Sequence, residues 1–193
     1  KQQKTASAAK IYQKIGESFG RKNFFHKAIA AYQKSLSLMP DPNTQVALAG
    51  ILEKIRRPFS AYEVLQQALT SFTEQKAYKQ ALETGFTMAN LQHTFSYPHQ
   101  KMAEIYFAMG HPVEASAEFL EASHKSINHE SFKQSLELLY RAFKLAPQDK
   151  EIWGLLRKRL ADKEGADYAA VKKLDSLLAQ APSPKEERSA GAE

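Results

Sequence analysis

Apolar residues recur three and four positions apart through most of the chain, and strand-like alternation is almost absent. This pattern predicts ten helices, over residues 5–20, 24–38, 43–55, 58–71, 74–93, 98–109, 112–125, 129–145, 148–161 and 166–180. The breaks fall where backbone chemistry favours them. The run Pro40-Asp41-Pro42 stops one helix and starts the next, because a proline ring blocks continuation yet fits a first turn. Pro58 and Pro112 suit first turns in the same way, Gly110 suits a left-handed helix end, and Pro147 follows the helix at 129–145. From Pro182 the run PSPKEERSAGAE has no apolar anchor, which predicts a helical domain over 1–181 and a disordered tail over 182–193.

The helices also repeat. Tyr12, Ile15, Gly16, Phe19, Ala28, Tyr32 and Pro40 are spaced by 3, 1, 3, 9, 4 and 8 residues. Small residues such as Gly16 and Ala28 would let paired helices approach closely. Tyr12, Phe19 and Tyr32 would fill the space between one pair and the next. Weaker copies follow. Leu48, Ala49 and Leu52 precede Ala61, Leu65 and Ala68, and Ala103, Phe107 and Gly110 come after an unusually long helix at 74–93. Ala115, Phe119 and Ala122 precede Ser135, Leu139 and Ala142, and Trp153 and Leu156 precede Ala170, Leu174 and Leu177. Residues 98–127 also read as one complete unit, so the pairing phase over 74–147 stays open. A non-repeating helical bundle is the competing architecture. The Gly16–Ala28–Pro40 spacing and the recurrent Ala-x3-aromatic/Leu-x2-Ala pattern favour repeats.

This series resembles the tetratricopeptide repeat family, whose units carry an aromatic, a Leu-Gly pair, an aromatic, then Ala, an aromatic and a closing Pro. Five helix pairs at a period of about 34 residues need roughly 170 residues. Residues 9–182 supply 174. The resemblance implies an all-α solenoid of about ten antiparallel helices in a right-handed superhelix. Its concave face, lined by the first helix of each pair, would bind an extended peptide or a partner helix. Family register places Lys10, Gln13, Glu17 and Arg21 on that face in the first unit, and Asn43, Val46, Gly50, Glu53 and Lys54 in the second. These mixed polar side chains suit hydrogen bonds to a peptide backbone and a few ion pairs, with plain solvated surface as the alternative. Some family members grip a C-terminal carboxylate with Lys and Asn in the first unit. Gln13 and Glu17 stand at those places here, and Glu17 would repel a carboxylate.

Charge sharpens the expected partner. Residues 1–95 hold 13 Lys/Arg against 6 Asp/Glu, whereas residues 96–193 hold 14 against 15, within a net formal charge of +6. A basic first half would steer an acidic protein segment towards itself, with weaker binding at high salt. Lys54, Arg56 and Arg57 form a basic cluster at a helix end, where positive charge complements the helix dipole. No nucleic-acid reading motif accompanies them, so an RNA-binding solenoid is the weaker alternative.

Composition excludes several chemistries. The 193 residues contain no cysteine, which excludes disulfides and thiolate metal sites and fits a reducing, cytoplasmic setting. No apolar run approaches a membrane span of roughly 18 residues. The polar start, Lys1 to Lys10, lacks the apolar core of a signal peptide. The chain begins with Lys rather than Met, as a piece of a longer or processed protein would, and a neighbouring domain could carry the main activity. The six histidines, at 26, 93, 99, 111, 124 and 129, include no HExxH pair, and phosphate-binding glycine loops and nucleophile elbows are missing. The expectation is a non-enzymatic interaction scaffold without cofactor or metal. A self-associating structural stack, with the 74–93 helix protruding, and a regulatory output domain of a signalling or secretion protein are the alternatives. Phe24, Phe25, Phe95 and Tyr97 lie near turns, where they would cap the core or form a contact patch.

Overall fold

The computed structural model describes residues 2–129, 132–164 and 176. The described residues are helical throughout, with short connections and no strand. They form two compact units, Lys1–His93 and Thr94–Glu193. The first holds α1 (Gln2–Arg21), α2 (Phe25–Leu38), α3 (Pro42–Lys54), α4 (Pro58–Glu74) and α5 (Tyr78–Leu91). The second holds α6 (Tyr97–Ala108), α7 (Pro112–His129), α8 (Phe132–Leu145) and α9 (Lys150–Glu164). Eight of these match expected helices to within a few residues at each end. The tenth expected helix, 166–180, lies outside the described residues except at residue 176, which is helical, and the expected tail, 182–193, lies wholly outside them.

One expectation is corrected. No long helix spans 74–93. Instead α4 continues to Glu74 and a tight turn separates it from the fourteen-residue α5. The cause is Lys76, whose φ of 56° is left-handed and ends the helix. Asn23 (61°), Arg56 (58°) and Gly110 (80°) stand in the same conformation. Each of the four ends its helix with the same pair of backbone hydrogen bonds. Asn23, Arg56, Lys76 and Gly110 donate to the carbonyls of Gly20, Glu53, Thr73 and Phe107, at 2.8–3.1 Å. The next residue, Phe24, Arg57, Ala77 or His111, donates to Phe19, Leu52, Phe72 or Tyr106, each at 2.9 Å. This is the Schellman motif, which satisfies carbonyls that a helix end leaves open. Five residues beyond each left-handed position stands an alanine, Ala28, Ala61, Ala81 or Ala115, with no exposed surface.

Within the first unit each helix packs on the one before it, and α1 also reaches α3. The α1–α2 hairpin is antiparallel: Ser35 Oγ donates to the Ala9 carbonyl at 2.8 Å, while Gly16 faces Tyr32 further along. A methyl added at Gly16 would lie 2.7 Å from the Tyr32 ring, so glycine permits this approach. Tyr32 thus fills the inside of its own hairpin, where the sequence pattern had it filling the gap to the next one. Between α2 and α3, Pro40-Asp41-Pro42 acts as expected. The Asp41 carboxylate accepts from the Thr44 amide (2.8 Å) and hydroxyl (2.6 Å), and Pro42 occupies the first turn.

The second unit stacks α6 on α7, α7 on α8, and α8 on α9. Ala103, Phe119, Ala122, Leu138, Leu139, Ala142, Ile152, Trp153 and Leu156 form its core. Burying each large side chain there contributes about 1.5–3 kcal/mol. Ser116 Oγ donates to the Ala142 carbonyl at 3.0 Å and Ser135 Oγ to the Ser123 carbonyl at 2.6 Å, which makes α7 and α8 antiparallel. Asp149 starts α9 by accepting from the amides of Glu151 (2.9 Å) and Ile152 (3.3 Å). Trp153 then packs edge-on against Phe143, with centroids 4.6 Å apart.

Candidate functional site

The expected docking residues of the first unit are only partly brought together. Lys10, Gln13 and Asn43 meet around a cavity of about 160 Å³ where α1 faces the start of α3. Ala9, Ser35 and Thr44, all buried, form its floor, and Met39 and Asp41 complete its wall. Lys10 and Asn43 are exposed, and Gln13 is half-buried. Glu17 and Arg21 are exposed one and two turns further along α1 and do not line the cavity. Both act on the Tyr32 phenol, whose pKa is raised first by burial and then by Glu17, and lowered by Arg21. Val46 (38% exposed) and Lys54 lie on α3 outside the cavity. Gly50 faces open space: a methyl added there would meet nothing within 4 Å. By contrast Gly20, on α1, is packed against Ile51 of α3, where an added methyl would come within 3.0 Å. The first unit therefore presents a closely packed α1–α3 seam beneath a polar, accessible surface.

The second unit holds larger openings, which sequence reasoning did not single out. One of about 320 Å³ is lined by Glu104 and Phe107 of α6, Phe119 of α7, and Arg141, Lys144 and Leu145 of α8. Another of about 330 Å³ is lined by Gln100 of α6 and by Lys133, Gln134, Glu137, Leu138 and Arg141 of α8. Arg141 belongs to both. Its guanidinium lies 4.2 Å from the centre of the buried Phe119 ring and 3.6 Å from the Glu104 carboxylate. Lys101 holds Glu104 from the same helix at 2.8 Å. Phe107, which the repeat pattern placed among the packing residues, is instead 60% exposed.

Other polar groups have structural partners. His99 Nδ1 lies 2.8 Å from Glu118, and His111 lies 3.5 Å from Glu114. The Arg159 guanidinium is buried (6% exposed) and donates to the hydroxyls of Ser123 and Ser135. Among the described residues no carboxylate pairs with it, and desolvation lowers its pKa. Phe24 is 53% exposed and stands edge-on to Phe19, with Lys27 over both rings, so of the two roles expected for it, it forms surface and does not cap the core. Lys54, Arg56 and Arg57 are exposed, and Arg56 is itself the left-handed residue that ends α3. Among the described residues no group of three or more His, Asp or Glu is placed to hold a metal ion, and no helix is long and apolar enough to cross a membrane.

These hairpins, closed by one recurring turn and packed through alanine and glycine, make the described chain an all-α, tetratricopeptide-like helical repeat. Its fold is similar to that of the yeast Sti1 TPR2AB domain in complex with pHSP90, at 16% identity over 87% of this chain and 88% of that one, with a TM-score of 0.42. It is likewise similar to Pseudomonas aeruginosa pilF, at 18% identity over 91% and 92% of the two chains and a TM-score of 0.35. MamA is similar at 17% identity over 96% of each chain, with a TM-score of 0.32. No family model matches the chain, and no curated protein matches it.

Proposed function

We propose that the chain is a non-enzymatic scaffold that holds an extended segment of a partner protein against the α1–α3 surface of its first unit. The observation that carries this reading is the accessible polar surface above the α1–α3 seam, with Lys10, Gln13 and Asn43 around one cavity and Gly50 opening onto free space. Lys10, Arg21 and Lys54 are matched on this surface by Glu17, Asp41 and Glu53, so the preference for an acidic segment rests on the wider excess of 13 Lys/Arg over 6 Asp/Glu in residues 1–95. The cysteine-free composition supports a cytoplasmic setting. The helix expected over 74–93 is shortened to Tyr78–Leu91, so self-association, the alternative reading, would run through the terminal helices.

Gly50→Trp tests the proposal. The added Cβ meets nothing within 4 Å, and replacing glycine favours the helix, so thermal unfolding should be unchanged or raised. Binding of acidic peptides, followed by calorimetry on the full chain, should fall by about tenfold or more. Reversing charge at Lys10 and Arg21 to Glu should have the same effect, and binding should weaken as salt rises. Unchanged affinity in both variants would overturn the reading.

A further inference from the structure

Helix α1 packs on α2 and α3, with Ala9, Gly16 and Gly20 buried between them. A second apolar face of α1 is left open. Ile11 is 59% and Ile15 37% exposed, and Ala8 and Phe19 are half-buried. Ala8, Ile11, Ile15 and Phe19 follow at spacings of three and four, so they form one stripe about three turns long. Phe24, exposed in the turn that follows and edge-on to Phe19, continues the stripe.

Its surroundings are cationic. Lys4 stands seven residues before Ile11, Lys22 seven after Ile15, and Lys14 one turn from Ile11, and all three are exposed. Lys27 lies 5.7 and 5.4 Å from the centres of the Phe19 and Phe24 rings. Residues 1–38 hold eight of the 13 Lys/Arg in residues 1–95, against a single acid, Glu17. Glu17 shares its side of α1 with Lys10 and Arg21, away from the stripe. This arrangement selects among occupants. A second copy placed symmetrically would set these lysines against their own counterparts, because an isologous contact uses one patch twice. A phosphate backbone would lay its charge across Ile11 and Ile15, where no cation stands. A bilayer surface needs a broad apolar face, whereas Tyr12 and Phe19 are already half-buried in the hairpin. A narrow stripe with cations around it matches the apolar side of one helix that carries acids on its edges.

We infer that the open face of α1 docks an amphipathic helix of a partner protein, with Leu or Ile at three- and four-residue spacing bordered by Asp and Glu. The apolar side chains lie over Ile11 and Ile15 and reach Phe24 at one end. The acids meet Lys4, Lys14, Lys22 and Lys27. This face is separate from the α1–α3 surface, and it takes a helix where that surface takes an extended segment.

Fluorescence anisotropy on the full chain tests the inference with four labelled probes: an acidic helical peptide with a leucine stripe, the same residues scrambled so that the leucines no longer align, the stripe peptide with Lys for Glu, and single-stranded RNA. Vesicles of phosphatidylcholine and phosphatidylserine are tested by co-sedimentation. Saturable binding is expected for the first probe alone, with a gain of peptide helicity by circular dichroism. Ile11→Gln should weaken it by about tenfold or more, as loss of a central contact does. Lys4→Glu with Lys22→Glu should weaken it comparably and move the preference to the lysine-bordered peptide. These residues are exposed, so melting temperature should stay at the wild-type value, and Lys14→Glu supplies a single-site charge reversal. Gly50→Trp should leave this binding unchanged. The inference is overturned if the acidic stripe peptide does not saturate at millimolar concentration, or if the scrambled peptide binds equally well. Wild-type affinity in Ile11→Gln and the charge reversals overturns it. So does RNA binding, vesicle binding or a concentration-dependent dimer that Ile11→Gln abolishes. If Gly50→Trp abolishes peptide binding and Ile11→Gln does not, the helix docks on the α1–α3 surface, and this inference fails while the scaffold reading stands.

Discussion

The two units use one kind of helix pairing for different surfaces. In the first, small residues bring α1 close to α2 and α3, so Gly16 lies under Tyr32 and Gly20 against Ile51. The space left is a 160 Å³ cavity with polar side chains around it. In the second, Phe119 and Leu139 fill the hairpin interface, and an opening of about 320 Å³ is lined by Phe107, Phe119 and Leu145 together with Glu104, Arg141 and Lys144. The second unit also buries a cation, Arg159, among serines. The contrast shows that pairing chemistry and surface chemistry vary independently along a repeat. The alanines stay constant because the turn dictates them, while the facing side chains are free to change.

The sharpest way to break the comparison is at Gly16. Gly16→Val should destabilise the first unit by about 3 kcal/mol, because its Cβ would press into the Tyr32 ring. Urea denaturation followed by far-ultraviolet dichroism reads this out, and a loss below experimental error would disprove the close approach. Next comes the buried cation. Ser135→Ala should cost about 2 kcal/mol by leaving the Arg159 guanidinium poorly satisfied, whereas Arg159→Met should be near neutral, because charge and need for partners leave together. Equal losses in both variants would show that the pair acts as simple packing. A gain is expected at Lys76. Lys76→Gly removes the strain of a left-handed side chain and should stabilise by about 1 kcal/mol. Gly50→Ala should stabilise by about 0.7 kcal/mol, opposite in sign to Gly16→Val, since its methyl meets nothing and glycine is a poor helix former. The smallest effect concerns acid. Glu121 has its pKa lowered, mainly by its hydrogen bond to Lys125, so its contribution is present above the unfolded carboxylate pKa and fades as pH falls through the lowered value. Glu121→Gln should flatten the acid side of the stability profile slightly, because the pair is only half-buried and solvent screens it.

Helix positions were legible because burial at three- and four-residue spacing leaves a strong trace, and proline marked the starts of α3, α4 and α7. The break between α4 and α5 was legible but misplaced: the pattern puts it at 72–73, and the turn lies at 75–77. Its left-handed position is held by a lysine, and neither glycine nor proline stands near it to announce a break. The proposed docking surface was half legible. Register from Gly16 identified the α1 side that carries Lys10 and Gln13, yet it could not show that Glu17, Arg21 and Lys54 stand apart from the cavity. The openings lined by α6 and α8 went unread because they depend on how separate helices pack together, which no spacing along one helix encodes.

The left-handed residues fall at 23, 56, 76 and 110, so the second interval is only 20 residues. Helix α4 consequently closes one hairpin and opens the next. An engineer who treats this chain as interchangeable cassettes of about 34 residues would cut through a shared wall. Excising α3 with α4 would strip α5 of the helix it leans on, whereas removing α1 with α2 would leave that partnership whole. The short interval is a welded joint in a modular array, and it decides where the chain can be shortened, extended or grafted.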